Sequence, residues 1–403
     1  MLESGHYIAP SSGMNRANKM NVSVLKAVFG LLCILLLASN LRSMSHWNEA
    51  RGVYDDICYL RQAHLFQRFG LGGIDTDISR DDDGYLSSKL KEIGFPTWSN
   101  AATAPCHNSM PAVKKFVIQY PPGTGLVMAL FPQGYQAIPL FMLSTIAVFG
   151  FAVLAIVSAR TTLSVLSAGV FGCLAIYLMI NPSKASYSMA PTMVLCALAG
   201  FLTPRWVAEM QRHRRLWLTL ILGFVLGLAV NFRLPNLFLA SGYFLFLLIS
   251  MLSTRKLSNL SQGALFAISF LVGMSPTLVS NTVNAGSPLS TTYGSSDVTP
   301  PDFSFGIVWQ YVADMQFVLL ALAIAGATIL AQVRDHATRR VALLTAANLA
   351  VNLAFFLSHP VFTPYYTVPI AMLSLWSLLF AWLEQKTEAV DEHLVARAAN
   401  AAS

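Results

Sequence analysis

Residues 53–71 read Val53-Tyr-Asp-Asp-Ile-Cys-Tyr-Leu-Arg-Gln-Ala-His-Leu-Phe-Gln-Arg-Phe-Gly-Leu71 and follow the first hydrophobic segment of the chain. Apolar side chains recur there at helical intervals, with two arginines and a histidine between them, which predicts an amphipathic helix along a membrane interface. Two adjacent acids, Asp55 and Asp56, open this helix. Carboxylates suit the dipole at any helix N-terminus, so the pair alone has a structural explanation as well as a catalytic one.

The composition identifies the class of protein. Of 403 residues, 55% are hydrophobic and 11% are charged, and the mean hydropathy is +0.56. Soluble domains carry about 25% charged residues, so the sequence predicts a polytopic membrane protein. The net charge of +7 comes from short basic clusters between apolar runs, which is the pattern of cytoplasmic loops and argues against a nucleic-acid partner.

The predicted fold class is an all-α polytopic membrane protein of about ten transmembrane helices, with a long first extracytoplasmic loop that carries the interfacial helix. The predicted divisions are a cytoplasmic tail at 1–21, a transmembrane domain at 22–384 with its outer loop at 42–120, and a cytoplasmic tail at 385–403. We favour a retained first helix over a cleaved signal peptide, because no clean small-x-small site precedes the loop. The spans are placed at roughly 22–41, 137–158, 162–181, 187–204, 216–232, 236–253, 262–280, 311–332, 341–358 and 363–383.

With the N-terminus inside, this count puts the basic clusters and both termini in the cytoplasm. The predicted location is the bacterial inner membrane. The unusual polar side chains then gather on the outer side, and Arg233 is the most informative of them because it ends an apolar span. Charge at a membrane edge usually faces a cavity or a partner. Two explanations stay open for Arg233, a functional anion contact and a structural ion pair or lipid-headgroup contact.

Two features of the outer loop leave alternatives open. Cys58 and Cys106 both fall in it and would be able to pair outside the cytoplasm, but sequence does not place their Cα atoms. The acidic stretch from Asp75 to Asp83 resembles a calcium loop only faintly, since the pattern fails at its first and twelfth positions. A solvated surface loop is the favoured interpretation.

Five segments carry a family resemblance: Tyr54-Asp55-Asp56 with Tyr59, Arg61 and Ala63; Gln119-Tyr120-Pro121-Pro122-Gly123; Asn231-Phe-Arg233-Leu-Pro235; Asn284 to Tyr293; and Pro364-Tyr365-Tyr366. In these segments the chain resembles the integral-membrane glycosyltransferases of the GT-C fold, in the broad group that includes protein O-mannosyltransferases and aminoarabinose transferases. The resemblance spans about residues 25–383. Many members of that group have ten to thirteen spans and some have a soluble C-terminal domain, so the subfamily stays open.

The resemblance implies transfer of a sugar from a polyprenyl-phosphate donor to a glycan, lipid or protein acceptor at the outer membrane face. Inverting transfer needs a carboxylate to take the acceptor proton and positive charge to stabilise the leaving phosphate. We assign Asp55 as base and Asp56 as its support or acceptor site. The substrate-binding candidates are Tyr59, Arg61, Lys114, Lys115, Gln119, Tyr120, Arg233, Tyr293, His359, Tyr365 and Tyr366.

A divalent metal is compatible with two adjacent acids, but two carboxylates are too few ligands to require one. The alternative function is a multi-pass transporter or flippase for lipids or solutes. Such proteins often show duplicated halves with charges at mid-membrane, whereas this sequence has no internal repeat. Membrane lipid is expected to surround the protein in either case.

Overall fold

The computed structural model describes residues 12–49, 54–181, 185–255, 257–293, 301–359 and 362–385. Val53 and most of the two predicted tails, 1–11 and 386–403, lie outside these ranges. The helices are α1 Ser12–Met44, α2 Tyr54–Phe69, α3 Tyr85–Glu92, α4 Gly123–Met128, α5 Ala137–Ser158, α6 Thr162–Leu178, α7 Met189–Ala208, α8 Arg212–Val230, α9 Ser241–Thr254, α10 Leu257–Gly273, α11 Ser275–Ala285, α12 Phe305–Ala313, α13 Phe317–Ala331, α14 His336–Ser358 and α15 Val368–Leu383. The strands are β1 His107–Met110 and β2 Lys115–Ile118.

The helical polytopic class is confirmed. Across the described ranges, six helical segments are long and apolar enough to cross a membrane, and the number rises to eight if each of two bent pairs is one span. The two pairs are α10 with α11 and α12 with α13, while α6 and α15 are apolar but shorter. Each of the ten predicted spans coincides with one of these segments or pairs. Helix α1 begins at Ser12, inside the predicted tail.

The two bent pairs differ from the straight spans predicted at 262–280 and 311–332. The first bends by 54° before Pro276, which has no backbone N–H to continue a helix. The second bends by 88°, and there the Asp314 carboxylate accepts a hydrogen bond from the backbone N–H of Gln316 at 2.8 Å. An aspartate whose carboxylate binds the backbone N–H two residues further on forms an Asx turn, which reverses the chain between the two helices.

The outer loop contains a small hairpin that the sequence analysis did not predict. Strands β1 and β2 pair antiparallel, with His107 opposite Ile118 and Met110 opposite Lys115. A disulfide joins Cys58 of α2 to Cys106, directly before β1, with the two Cα atoms 6.6 Å apart. Disulfides persist in oxidising compartments, which agrees with an extracytoplasmic loop.

Helix α2 lies where it was predicted, but the rest of the loop covers it, and ten of its sixteen residues are buried. Its basic face is paired with the acidic stretch. His64 Nε2 lies 2.6 Å from Asp83 Oδ2, and Arg68 Nη1 lies 2.7 Å from Asp82 Oδ1. The acidic stretch is therefore partly neutralised by α2 instead of being only a solvated loop.

Close packing of α8 against α10 fixes the end of α8. A Cβ on Gly227 would lie 2.1 Å from the carbonyl oxygen of Phe270, so only glycine permits this approach. At the end of α8, Asn231 Nδ2 donates to the carbonyl of Gly273 at 2.7 Å, and its Oδ1 accepts from the N–H of Thr277 at 2.9 Å. The segment that carries Arg233 is thereby anchored to α10 and α11.

Candidate active site

The first half of the candidate site lies on one face of α2. Asp55, Tyr59 and Gln62 are spaced four and three residues apart, so their side chains share that face. The hydroxyl of Tyr120 donates to Asp55 Oδ1 at 2.6 Å, and the Tyr120 ring stacks on Tyr59 with centroids 4.8 Å apart. Within the described ranges, the second carboxylate oxygen of the half-buried Asp55 has no hydrogen-bond partner. That oxygen is available to accept a proton.

The tyrosines of this half are protonated at neutral pH, and burial reinforces this state. Burial raises the pKa of Tyr120 above its ordinary value, and the neighbouring Asp55 charge raises it further. Burial and then Asp55 likewise raise the pKa of Tyr59. Tyr120 therefore remains a donor at neutral pH, which holds the Asp55 carboxylate in one orientation.

The second half is joined to the first through the turn at Gly123. The Gly123 N–H donates to the carbonyl of Asn231 at 2.7 Å, and a Cβ on Gly123 would lie 2.6 Å from that oxygen. A Cβ on Gly125 would lie 2.6 Å from Gln62 Cγ. Helix α4 is thus wedged between α2 and the segment after α8, and it brings Arg233 towards the Asp55 face.

Arg233 is buried, at 8% exposure, and is surrounded by aromatic rings. Its guanidinium carbon lies 4.8 Å from the ring centroid of Tyr365 and 5.3 Å from that of Tyr366, and Nη1 contacts Met189 Sδ. In the part of the chain that the structure describes, Arg233 forms no ion pair with an acid. The structural ion pair left open by the sequence has no partner there.

The segment after α11 brings Tyr293 to the same place. Thr292 Oγ1 donates to the carbonyl of Gln119 at 2.8 Å, and Asn108 Nδ2 bridges Gln119 Oε1 at 3.1 Å and the Thr292 carbonyl at 3.2 Å. Burial raises the pKa of Tyr293 well above its ordinary value, and Asp55 adds to the shift. Through its hydrogen bond with Thr292, Gln119 positions the neighbouring Tyr293.

We call the assembled group the tyrosine cluster. It consists of residues that are connected by the contacts above and by the packing of Tyr365 against Tyr366: Asp55, Tyr59, Tyr120, Arg233, Tyr293, Tyr365 and Tyr366. A carboxylate, a guanidinium and five phenols thus meet at one end of the membrane helices. Asp56, the next residue of α2, is fully buried.

Arg61 is directed away from this cluster. It follows Tyr59 by two positions, a rotation of about 200° around α2. Its guanidinium donates to the carbonyls of Thr76 at 2.9 Å and Asp77 at 2.8 Å, and to His107 Nε2 at 2.8 Å. Burial lowers the pKa of Arg61 to about 10, so it stays charged at neutral pH. These contacts give Arg61 a structural role inside the loop and leave the predicted substrate role without support.

Two further candidates, Lys114 and Lys115, also lie apart from the tyrosine cluster. Lys115 Nζ is 3.0 Å from Asp75 Oδ2 and donates to the carbonyl of Val283 at 3.1 Å. Lys114 is exposed in the hairpin turn with a φ of 54°. The His359 ring lies against Phe355, with centroids 6.2 Å apart.

The structure adds residues that sequence reasoning missed. Ser186 and Ser188, which precede α7, are buried, and their hydroxyl groups lie 2.9 Å apart within hydrogen-bond distance. Glu49 is buried, and its carboxylate accepts from the N–H groups of Gln136 and Ala137 at the start of α5. No local sequence signal links Glu49 to a helix start nearly ninety residues away.

One group of three potential metal ligands is found in the described residues: Cys58, Cys106 and His107. The two cysteines are already joined to each other. His107 Nδ1 donates to the carbonyl of Pro105 at 2.7 Å while Nε2 accepts from Arg61, so neither ring nitrogen is available. These residues do not fit a metal ion.

No protein-family model matches the chain, and no curated protein sequence matches it. The structure is similar to the crystal structure of ArnT from Cupriavidus metallidurans bound to undecaprenyl phosphate, with 15% sequence identity and a TM-score of 0.43. The match covers 92% of this chain and 63% of that one. The chain therefore spans less than two thirds of the length of the solved protein.

Proposed function

We propose that this protein is an integral-membrane glycosyltransferase that moves a sugar from a polyprenyl-phosphate donor to a glycan, lipid or protein acceptor. The observation that carries the proposal is the meeting of Asp55 and Arg233 in one tyrosine-lined site. The carboxylate there keeps one oxygen without a partner among the described residues, and the guanidinium has no acid paired with it. A base and a cation at the ends of apolar helices suit a lipid-linked phosphate.

The reaction is a single displacement with inversion. Asp55 takes the proton of the acceptor hydroxyl while the acceptor oxygen forms a bond to the anomeric carbon of the sugar. The bond from that carbon to the phosphate oxygen of the donor breaks in the same step. Arg233 stabilises the negative charge that remains on the polyprenyl phosphate. Tyr120 keeps the Asp55 carboxylate oriented, and the other phenols of the cluster offer hydrogen bonds to sugar hydroxyls.

We place the tyrosine cluster on the extracytoplasmic side of a bacterial inner membrane, with both termini in the cytoplasm. The disulfide and the basic clusters at the opposite helix ends support this orientation. Cysteine introduced at Ser87 should react with an impermeant thiol reagent in intact cells, whereas cysteine at Ser258 should react only after lysis. Labelling of both positions from one side would refute the orientation.

The test of the function is incubation of the purified protein with extracted polyprenyl-phosphate sugars, with donor consumption followed by mass spectrometry. Asp55→Asn should lower turnover by about 10²–10⁴ and still bind the donor, since the phosphate contact lies elsewhere. Asp56→Asn should lower turnover by a smaller factor than Asp55→Asn does. Asp82→Asn removes an acid that pairs with Arg68 and serves as the matched control.

Normal turnover by purified Asp55→Asn would show that the base is assigned wrongly. If the wild-type protein consumes no donor in any extract, the transferase proposal fails. Movement of intact donor across a vesicle membrane without cleavage would favour the transporter alternative.

A further inference from the structure

Two half-buried arginines lie at the membrane end opposite the tyrosine cluster. Arg215 is in the first turn of α8, and Arg340 is in the second turn of α14. Helix α8 has 19 residues and ends just before Arg233. At about 1.5 Å of rise per residue it separates the two ends by roughly 28 Å, so Arg215 belongs to the other face of the membrane.

Neutral groups hold both guanidinium groups in place. The buried amide of Gln262, with its oxygen turned towards the neighbouring donors, accepts from Arg215 Nε at 3.1 Å and from Trp206 Nε1 at 3.0 Å. The Arg340 guanidinium lies 5.1 Å from the ring centroid of Phe246 on α9. Helices α7, α8, α9, α10 and α14 all contribute to this junction, which we call the arginine junction and define by Arg215, Arg340, Gln262, Trp206 and Phe246.

The charges of the arginine junction are not balanced by the surrounding described residues. Trp206 connects the two arginines, because its ring packs edge-on against Phe246 with centroids 5.6 Å apart while its Nε1 donates to the Gln262 oxygen. Neither arginine forms an ion pair with a described acid. Acids at the same membrane end are engaged elsewhere: Glu384 pairs with Arg205, and Asp335 accepts from the N–H of Thr338 at 2.8 Å. Two like charges partly withdrawn from water are unfavourable without a counter-charge.

We propose that Arg215 and Arg340 together bind the phosphate of an anionic phospholipid in the leaflet at this end of the protein. Guanidinium forks match phosphate oxygens in pairs, and basic pockets between membrane helices on the cytoplasmic side are suited to anionic headgroups. A lipid is favoured over free phosphate because Leu343, one turn deeper on α14, is 52% exposed and offers a surface for an acyl chain. This site does not depend on the proposed transferase chemistry.

The test measures the thermal unfolding midpoint of the purified protein in a neutral detergent during titration with phosphatidylglycerol, phosphatidylcholine or inorganic phosphate. A ligand that binds only the folded state raises this midpoint. Phosphatidylglycerol should raise the unfolding midpoint more than phosphatidylcholine or inorganic phosphate does. The double variant Arg215→Gln/Arg340→Gln should bind phosphatidylglycerol at least tenfold more weakly than the wild type. The control Arg212→Gln/Arg339→Gln removes two exposed charges from the same helices and should bind as the wild type does.

Equal losses in the two double variants would overturn the proposal in favour of general surface charge. An equal, arginine-dependent response to inorganic phosphate would overturn the lipid assignment. If Arg215→Gln/Arg340→Gln fails to fold, the single variant Arg340→Gln can be tested for lipid adducts by native mass spectrometry. Retention of the phosphatidylglycerol adduct by that variant would contradict the proposed site.

Discussion

Replacement of Gly123 by alanine tests whether the two halves of the tyrosine cluster must touch. The added Cβ would lie 2.6 Å from the carbonyl oxygen of Asn231, and an ordinary contact begins at about 3.4 Å, so the segments must separate by about 0.8 Å (3.4 − 2.6). The hydrogen bond from Gly123 N to Asn231 O would lengthen from 2.7 Å to roughly 3.5 Å and be lost.

Overpacking of this kind typically costs about 1–3 kcal/mol of stability. A misplacement near 1 Å costs about 10²-fold in rate, so we expect turnover of donor by Gly123→Ala to fall by roughly that factor. The assay is donor consumption under single-turnover conditions, with the unfolding midpoint measured on the same preparation. Gly150→Ala is the matched control, because no heavy atom lies within 4 Å of its added Cβ. A folded Gly123→Ala protein with unchanged turnover would refute the claim that this contact aligns Asp55 with Arg233.

Three further outcomes are expected. Arg233→Lys should retain part of the donor affinity, because lysine keeps the positive charge but not the two-pronged guanidinium group of arginine. Arg233→Met should abolish donor binding in a protein that still folds, and unchanged donor affinity in this variant would contradict a phosphate contact. Cys106→Ser should lower the free energy of unfolding by about 2–5 kcal/mol and make the midpoint insensitive to reductant, which calorimetry with and without reductant will show. Burial, and then the charge of Arg61, lower the pKa of His107 from 6.5 to about 3. The unfolded chain takes up a proton on His107 below about pH 6.5, whereas the folded chain takes it up only near pH 3. The free energy of unfolding should therefore fall as the pH drops through that window, by up to about 1.4 kcal/mol per pH unit. In His107→Asn the thermal unfolding midpoint should depend less steeply on pH between pH 6.5 and pH 4. An unchanged slope would contradict the assignment of this pH dependence to His107.

Sequence patterns predicted the helices well because apolar periodicity is a local property. The helix that begins with Asp55 and Asp56 is present at Tyr54–Phe69, and every predicted span meets a helix or a bent pair. The bends had local signals as well, Pro276 in one span and Asp314 in the other. Hydropathy averages over a window and does not register a single residue that breaks a helix.

Long-range contacts decided what the sequence did not predict. Arg61 and Lys115 look like phosphate ligands when read singly, yet both are used to hold the loop together. The acidic stretch from Asp75 to Asp83 was the available signal, since it complements the basic face of α2. The hairpin and the disulfide required knowledge of which loop segments meet, and that depends on three-dimensional packing rather than on spacing.

The bond between Gly123 and Asn231 joins positions 108 residues apart, and this distance has a consequence for biosynthesis. Ribosomes add about 5–20 residues per second, so Gly123, at the end of the half that carries Asp55, is made roughly 5–20 s before Asn231. During that interval the nascent chain has its carboxylate, and the partners for its disulfide, but lacks the cation. The proposed site therefore stays incomplete until Asn231 at the end of α8 has bound Gly123, and Tyr365 and Tyr366, which face Arg233, are made later still.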